Sequence, residues 1–172
     1  TCSEEKIAKL KETLARMNVR CFQIDFSRNV LNVFQNLKAF GQTKKIINDN
    51  KYALIHSHSP IGGFISRIAA INSRKKGTRI IYTAHGFHFF KGAPLKNWLI
   101  FYPIEKICSR WTDVLVTITH EDYQLAKQNM SAKEVIYVPG VGINTSEFSP
   151  NDIDLEINLR KREELGIPKD DI

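Results

Sequence analysis

The chain has 172 residues, 42% hydrophobic and 25% charged, the balance of an ordinary soluble domain rather than of a disordered tail. Lysine and arginine outnumber aspartate and glutamate 25 to 18, a net charge of +7 that admits an anionic partner. No apolar run reaches the roughly 18 to 20 residues of a membrane-spanning helix, no cleavable signal peptide is expected, and the three scattered cysteines, Cys2, Cys21 and Cys108, suit a reducing compartment better than a disulfide framework.

Ser3-Glu4-Glu5 followed by Ile7, Leu10, Leu14 and Met17 predicts a helix with acids in its first turn. Arg20 to Asp25 predicts a short strand, with Cys21 and Phe22 on opposite faces. A long helix is expected from Val30 to Asn48, weakened at Gly41 by about 1 kcal/mol relative to alanine. Tyr52 to His58 predicts the next strand, and Ser59-Pro60 a helix cap with proline at the first helical position. That helix should run to Ser73 and close in the basic turn Arg74 to Gly77.

Arg79 to Thr83 is rich in strand formers and is broken by His85-Gly86. After a loop, Leu95 to Trp111 predicts a helix that Pro103 should kink or interrupt. Asp113 to Ile118 is nearly continuous and apolar, as a strand covered on both faces should be. Thr119 to Asp122 has the spacing of a capping box, opening a helix to Met130. Glu134 to Val138 is the last strand, stopped by Pro139-Gly140; a polar linker over 144–154 precedes a helix from Leu155 to Leu165. Strands alternating with helices predict an α/β fold, a Rossmann-like parallel sheet with helices on both faces.

Ligand sites in such sheets lie outside the carboxyl ends of the strands. Asp25 and Arg28 follow the first expected strand, and His56, His58 and Ser59 the second. His85 and His88 follow the third, Thr119, His120 and Glu121 the fourth, and Gly140, Gly142 and Asn144 the fifth. All five histidines thus converge on one rim, which points to a site. They carry no carboxylate or cysteine at a recognised metal spacing. GxSxG and GxGxxG motifs are absent. Small residues in Ser59 to Gly63 suit either a plain capped helix or a phosphate at its N-terminus. Phe87 to Gly92 and the following Leu95, Trp98, Leu99, Phe101 and Tyr102, interleaved with Lys91 and Lys96, suit either a core or an exposed rim against an anionic membrane. No nucleic-acid signature appears, so no nucleic-acid partner is expected.

Four blocks carry a resemblance across residues 52–150: YALIHSHSPIGGFISRIA, IIYTAHGFHFFKG, IEKICSRWTDVLVTITHEDYQLAK and VIYVPGVGINTSEFSP. In order and spacing they resemble the N-terminal half of retaining glycosyltransferases of family GT4, of the bacterial capsular and exopolysaccharide type. The resemblance implies a GT-B fold of two Rossmann-like domains facing a cleft. It implies His85 as the catalytic histidine that reaches the donor sugar, with Gly86 and Glu121 on the donor side or cleft floor. It places Arg28, His58, Ser59, His88 and Lys91 on the acceptor side. Residues 1–150 would be a partial acceptor-binding domain lacking its opening strand-helix-strand segment. Residues 151–172 would lead toward a donor-binding domain that is absent.

The implied activity is metal-independent transfer of a hexose or N-acetylhexosamine, with retention, from a nucleotide sugar, a UDP-sugar, to a lipid-linked saccharide. The implied location is cytoplasmic and peripheral at the inner face of the cell membrane, docked on anionic lipid through Lys91, Trp98 and their neighbours. This chain alone is expected to be inactive. The alternative is a non-catalytic saccharide- or partner-binding domain.

Overall fold

The computed structural model describes residues 4–27, 29, 32–140, 142, 144–146, 149 and 154–168. The chain divides into two units, Thr1–Val138 and Pro139–Ile172. In the first, α1 (Glu4–Arg16) and α2 (Val33–Asn50) precede β1 (Leu54–Ser57), α3 (Pro60–Ala69), α4 (Ile71–Lys75) and β2 (Arg79–Ala84). Then come α5 (Leu95–Ser109), β3 (Val114–Thr117), α6 (His120–Asn129) and β4 (Glu134–Tyr137). The second unit holds α7 (Leu155–Glu164), capped by Asp154, whose carboxylate accepts the Glu156 N–H at 2.8 Å.

The four strands form one parallel sheet in the order β1-β2-β3-β4. Its register sets Tyr82 between Ser57 and Leu115, and Ala84 beside Thr117. Alternation along β2 therefore sends Ile80, Tyr82 and Ala84 to one side, where all three are buried. Two apolar clusters lie there. One joins Ile80 to Ile47 of α2, Ala69 of α3 and Ala70, which follows α3. The other joins Tyr82, Ala84 and Leu115 to Phe87, Phe89 and Ala126, with Trp98, Phe101 and Tyr102 of α5 packed against them.

Helical cover was expected on both faces, and these two clusters bury one. On the other, Leu54 and Ile136 are exposed while Ile81, Val114 and Val116 are only half-buried, and no described helix shares either core with them. Topology is the reason. The three crossovers run in one direction across the sheet, and crossovers are almost always right-handed, so their helices land on the same side.

Other expectations need correction. The strand foreseen at Arg20 to Asp25 does not form. That stretch hydrogen-bonds to side chains of α2: the Asp25 N–H donates to Gln42 and the Ser27 N–H to Asn36, in place of a strand ladder. The sheet accordingly has four strands among the described residues. The helix after Ser59 divides at Ala70 into α3 and α4. Pro103 leaves α5 unbroken, and it sits on the exposed side of the helix. Gly41 likewise leaves α2 continuous. Val30, the expected start of that helix, lies outside the described residues.

One close approach fixes how α3 lies on the sheet. A Cβ added at Gly63 would sit 2.5 Å from Cε2 of Tyr82, so only glycine lets the helix rest on that ring. Beside it the guanidinium of Arg67, fully buried, covers the Tyr82 ring at 4.1 Å. Its Nη2 donates to both oxygens of Glu105 at 3.0 and 2.8 Å, and its Nε donates to the Gly63 carbonyl. Burial pushes the Glu105 carboxyl above its usual range, and Arg67 partly opposes that. Burial likewise pushes the nearby Cys108 thiol up to about 11.

Candidate active site

At the carboxyl end of the sheet, β1 and β2 lie side by side and deliver their terminal residues to the same place. His56 points its Nε2 at Thr83 Oγ1 across the strand pair, 2.9 Å away. Partial burial, and then the neighbouring His58, hold the His56 imidazole below the ordinary histidine value. The His58 ring stands 4.2 Å from the His56 ring, and its Nδ1 lies 3.2 Å from Nε2 of His85. At that separation one ring supplies an N–H and the other a lone pair. Both histidines are exposed, so each keeps one ring nitrogen for a visitor.

Gly86 follows with φ +140°, a conformation side chains rarely adopt. No other atom lies within 4 Å of where a Cβ would stand, which leaves the backbone open to close approach.

The loop that continues from Gly86 is held from beneath by the first turn of α6. Thr119 caps that helix by accepting the Asp122 N–H at 3.1 Å. Asp122, buried, accepts the Phe87 N–H at 3.4 Å, and Glu121 accepts the Lys91 N–H at 2.7 Å. Farther along, Asn97 Nδ2 donates to the His88 carbonyl, and the His88 ring lies 4.6 Å from Phe101. The loop is thus pinned at Phe87, His88 and Lys91, while His85 and Gly86 are presented at its rim.

Of the residues singled out from sequence, His58, His85 and Gly86 come together with His56. Ser59 lies next to them as the cap of α3, accepting the Gly62 N–H at 3.2 Å. Glu121, His88 and Lys91 meet through the loop rather than through side chains converging on one point. His120 stacks on Tyr137 instead, with ring centroids 4.1 Å apart. Arg28 lies outside the described residues.

The aromatic rim needs correcting. Phe87 and Phe89 are buried and Trp98 packs against them, because a loop that caps the sheet end can bury rings that a bare loop could not. Sequence reasoning passed over Asp122 as a loop anchor, although its place at the third position after Thr119 was visible. It also passed over Thr83 and the Arg67–Glu105 pair. An arginine on the same helical stripe as Gly63 and Ala70 was the available signal for that pair.

Among the described residues, no group of three His, Cys, Asp or Glu side chains is placed to hold a metal ion. A cleft of about 380 Å³ opens at the opposite, amino end of the sheet, lined by Arg74, Arg79, Asp113 and Lys133. There Asp113 accepts hydrogen bonds from Arg74, Lys133 and the Ile80 N–H, which makes that end a fastening. No helix among the described residues is long and apolar enough to cross a membrane.

A family described as glycosyl transferase 4-like matches residues 1–119. The chain is 45% identical over 138 residues to "Putative glycosyltransferase EpsD" of Bacillus subtilis (strain 168), covering 80% of this chain and 36% of that protein. It is 30% identical over 115 residues to an uncharacterized 41.2 kDa protein in the cps region of Klebsiella pneumoniae, covering 66% and 32%. It is 26% identical over 136 residues to the UDP-Gal:alpha-D-GlcNAc-diphosphoundecaprenol alpha-1,3-galactosyltransferase of Escherichia coli, covering 77% and 34%. The chain spans about a third of the length of these curated relatives.

Proposed function

The chain belongs to the glycosyl transferase 4-like family, and from that premise we propose that it is the acceptor-side part of a retaining transferase. The transferase moves a hexose or N-acetylhexosamine from a UDP-sugar to a lipid-linked saccharide in cell-surface polysaccharide biosynthesis, at the inner face of the cell membrane. Residues 1–150 form the acceptor-binding portion, and 151–172 lead toward a donor-binding domain. The observation that carries this reading is the exposed His58–His85 contact beside Gly86, on a loop pinned by Glu121 and Asp122. The name of the Escherichia coli relative, with its UDP-galactose donor and diphosphoundecaprenol acceptor, supports the choice of substrates.

In this reading His85 contacts the donor sugar near the reacting carbon, and Gly86 lets the chain approach it. The bond from that carbon to the diphosphate breaks as the bond to the acceptor hydroxyl forms on the same face, and the hydroxyl proton leaves with a phosphate oxygen. His58, Ser59, His88 and Lys91 line the acceptor side. The work is orientation and charge stabilisation, with no metal required.

The test is transfer by the full-length protein, with a panel of UDP-sugars and a lipid-diphosphate saccharide. His85→Ala should lower kcat far more than it raises the acceptor KM, because its contact matters chiefly in the transition state. An unchanged rate removes His85 from the catalytic role. Saccharide binding without turnover by the full-length protein replaces the transferase reading with a binding domain.

A further inference from the structure

Helix α5 is apolar on both of its sides, which is ordinary for a helix buried all round and unusual for one at the surface. Its inward side carries Phe101, Glu105, Cys108 and Ser109 into the core beside Trp98. At 100° per residue, Leu95, Leu99, Ile100, Pro103 and Ile107 fall together with Lys96, Lys106 and Arg110 on one outward arc of about 140°. Every one of these eight residues is exposed, Leu95 at 73% and Leu99 at 68%. The arc holds no acid, and no ion pair among the described residues involves its three cations. Lys106 reaches the Tyr102 hydroxyl at 3.5 Å, with its ammonium 5.5 Å from the centroid of that ring. In the loop before the helix, Phe90, 46% exposed, and Lys91 are also exposed.

We propose that this outward face of α5 is a docking surface for an anionic lipid bilayer, with the aliphatic side chains entering the interface and the cations meeting the headgroups. Charge decides the occupant. A second copy would set three cations against three cations, whereas a surface of anionic headgroups neutralises them and accepts the aliphatic chains together. Docking also places the candidate site. Asn97 ties the first turn of α5 to the His88 carbonyl, so a helix lying on lipid holds the rim bearing His85 beside that lipid.

This deepens the proposed location and not the chemistry, so its failure leaves the transfer reading standing. It replaces the sequence expectation of docking through Trp98, whose ring packs inward.

The experiment is sedimentation of the chain with vesicles of phosphatidylcholine alone and of phosphatidylcholine with phosphatidylglycerol. Binding should need phosphatidylglycerol and fade with salt, as the Debye length shrinks from about 10 Å at 0.1 M to about 3 Å at 1 M. The pair Lys96→Glu and Lys106→Glu should weaken it about tenfold or more, and Leu95→Glu with Leu99→Glu comparably, with circular dichroism unchanged. The charge-matched pair Lys44→Glu and Lys45→Glu on α2 should stay within twofold of the parent. Three results overturn the proposal: no binding to anionic vesicles at low salt, equal loss in the α2 pair, or binding indifferent to both α5 pairs. A dimer in light scattering that the α5 substitutions dissolve would assign the face to a second copy and also overturn it.

Discussion

The two ends of the sheet are built from the same strands and differ in how their polar groups are used. At the amino end Asp113 is nearly saturated: Oδ1 accepts from Arg74 at 2.9 Å and from Lys133 at 2.8 Å, while Oδ2 accepts from Arg74 at 3.2 Å and from the Ile80 N–H at 2.9 Å. At the carboxyl end His58 and His85 share one contact and remain exposed. A saturated acceptor has nothing left for a ligand and works as a fastener. A half-used imidazole costs the fold little and stays open for chemistry.

The largest expected effect comes from the deepest fastener, between the two ends. Glu105→Ala strands the buried Arg67 guanidinium and should cost about 3–5 kcal/mol in denaturant unfolding. A loss near zero would mean that Arg67 escapes to solvent and that burial does not mark the fasteners.

Next is the pH dependence of the amino end. Burial alone would raise the Asp113 carboxyl, but hydrogen bonds from Lys133, Arg74 and the Ile80 N–H outweigh it and bring it down to about 2. A depressed carboxylate stabilises the fold above its unfolded value near 4 and loses that contribution as pH falls toward 2. The amount is about 2 kcal/mol. Asp113→Asn should flatten stability over that window; an unaltered acid limb would assign it to other groups.

A smaller cost, about 1 kcal/mol, is expected for Gly86→Ala, where space is open and only the positive φ resists a side chain. Loss of more than about 3 kcal/mol would show that the rim is packed after all.

The smallest stability effects belong to the histidines. His58→Asn and His58→Gln should each move stability by less than about 0.5 kcal/mol, yet they should separate in activity. Asparagine places its amide where Nδ1 of His58 meets His85, and glutamine places it near Nε2. Turnover of the full-length protein should be retained better by asparagine. Equal losses would show that the His58–His85 contact does not hold His85 in place.

Much of this architecture could be read beforehand because it rests on local rules. Ser59-Pro60, Thr119 and Gly166 mark helix ends by capping and by φ, and the strand runs at 79–84 and 114–117 are carried by β-formers. What could not be read depends on neighbours in space. Arg20 to Asp25 has the composition of a strand, but a strand exists only with a ladder partner. The rings of Phe87 and Phe89 look exposed in a loop until the sheet end gives them a surface to cover. Asp122 looked like a capping residue, and its second duty to the Phe87 N–H needs the loop to fold back onto α6. The rim histidines were visible because strand ends are visible, whereas the 3.2 Å contact between His58 and His85 follows from the pairing of β1 with β2.

The strand order has a consequence for how the chain comes into being. Among the described residues each strand pairs only with its immediate neighbours in the sequence, so none of these four waits for a partner more than one crossover away. Synthesis of a crossover takes on the order of seconds, long against the microseconds of helix formation. As the chain emerges, β2 can settle against β1, β3 against β2 and β4 against β3, each new strand finding the edge that the last one left. The sheet can therefore grow in the direction of translation, and its register can be inspected one strand at a time.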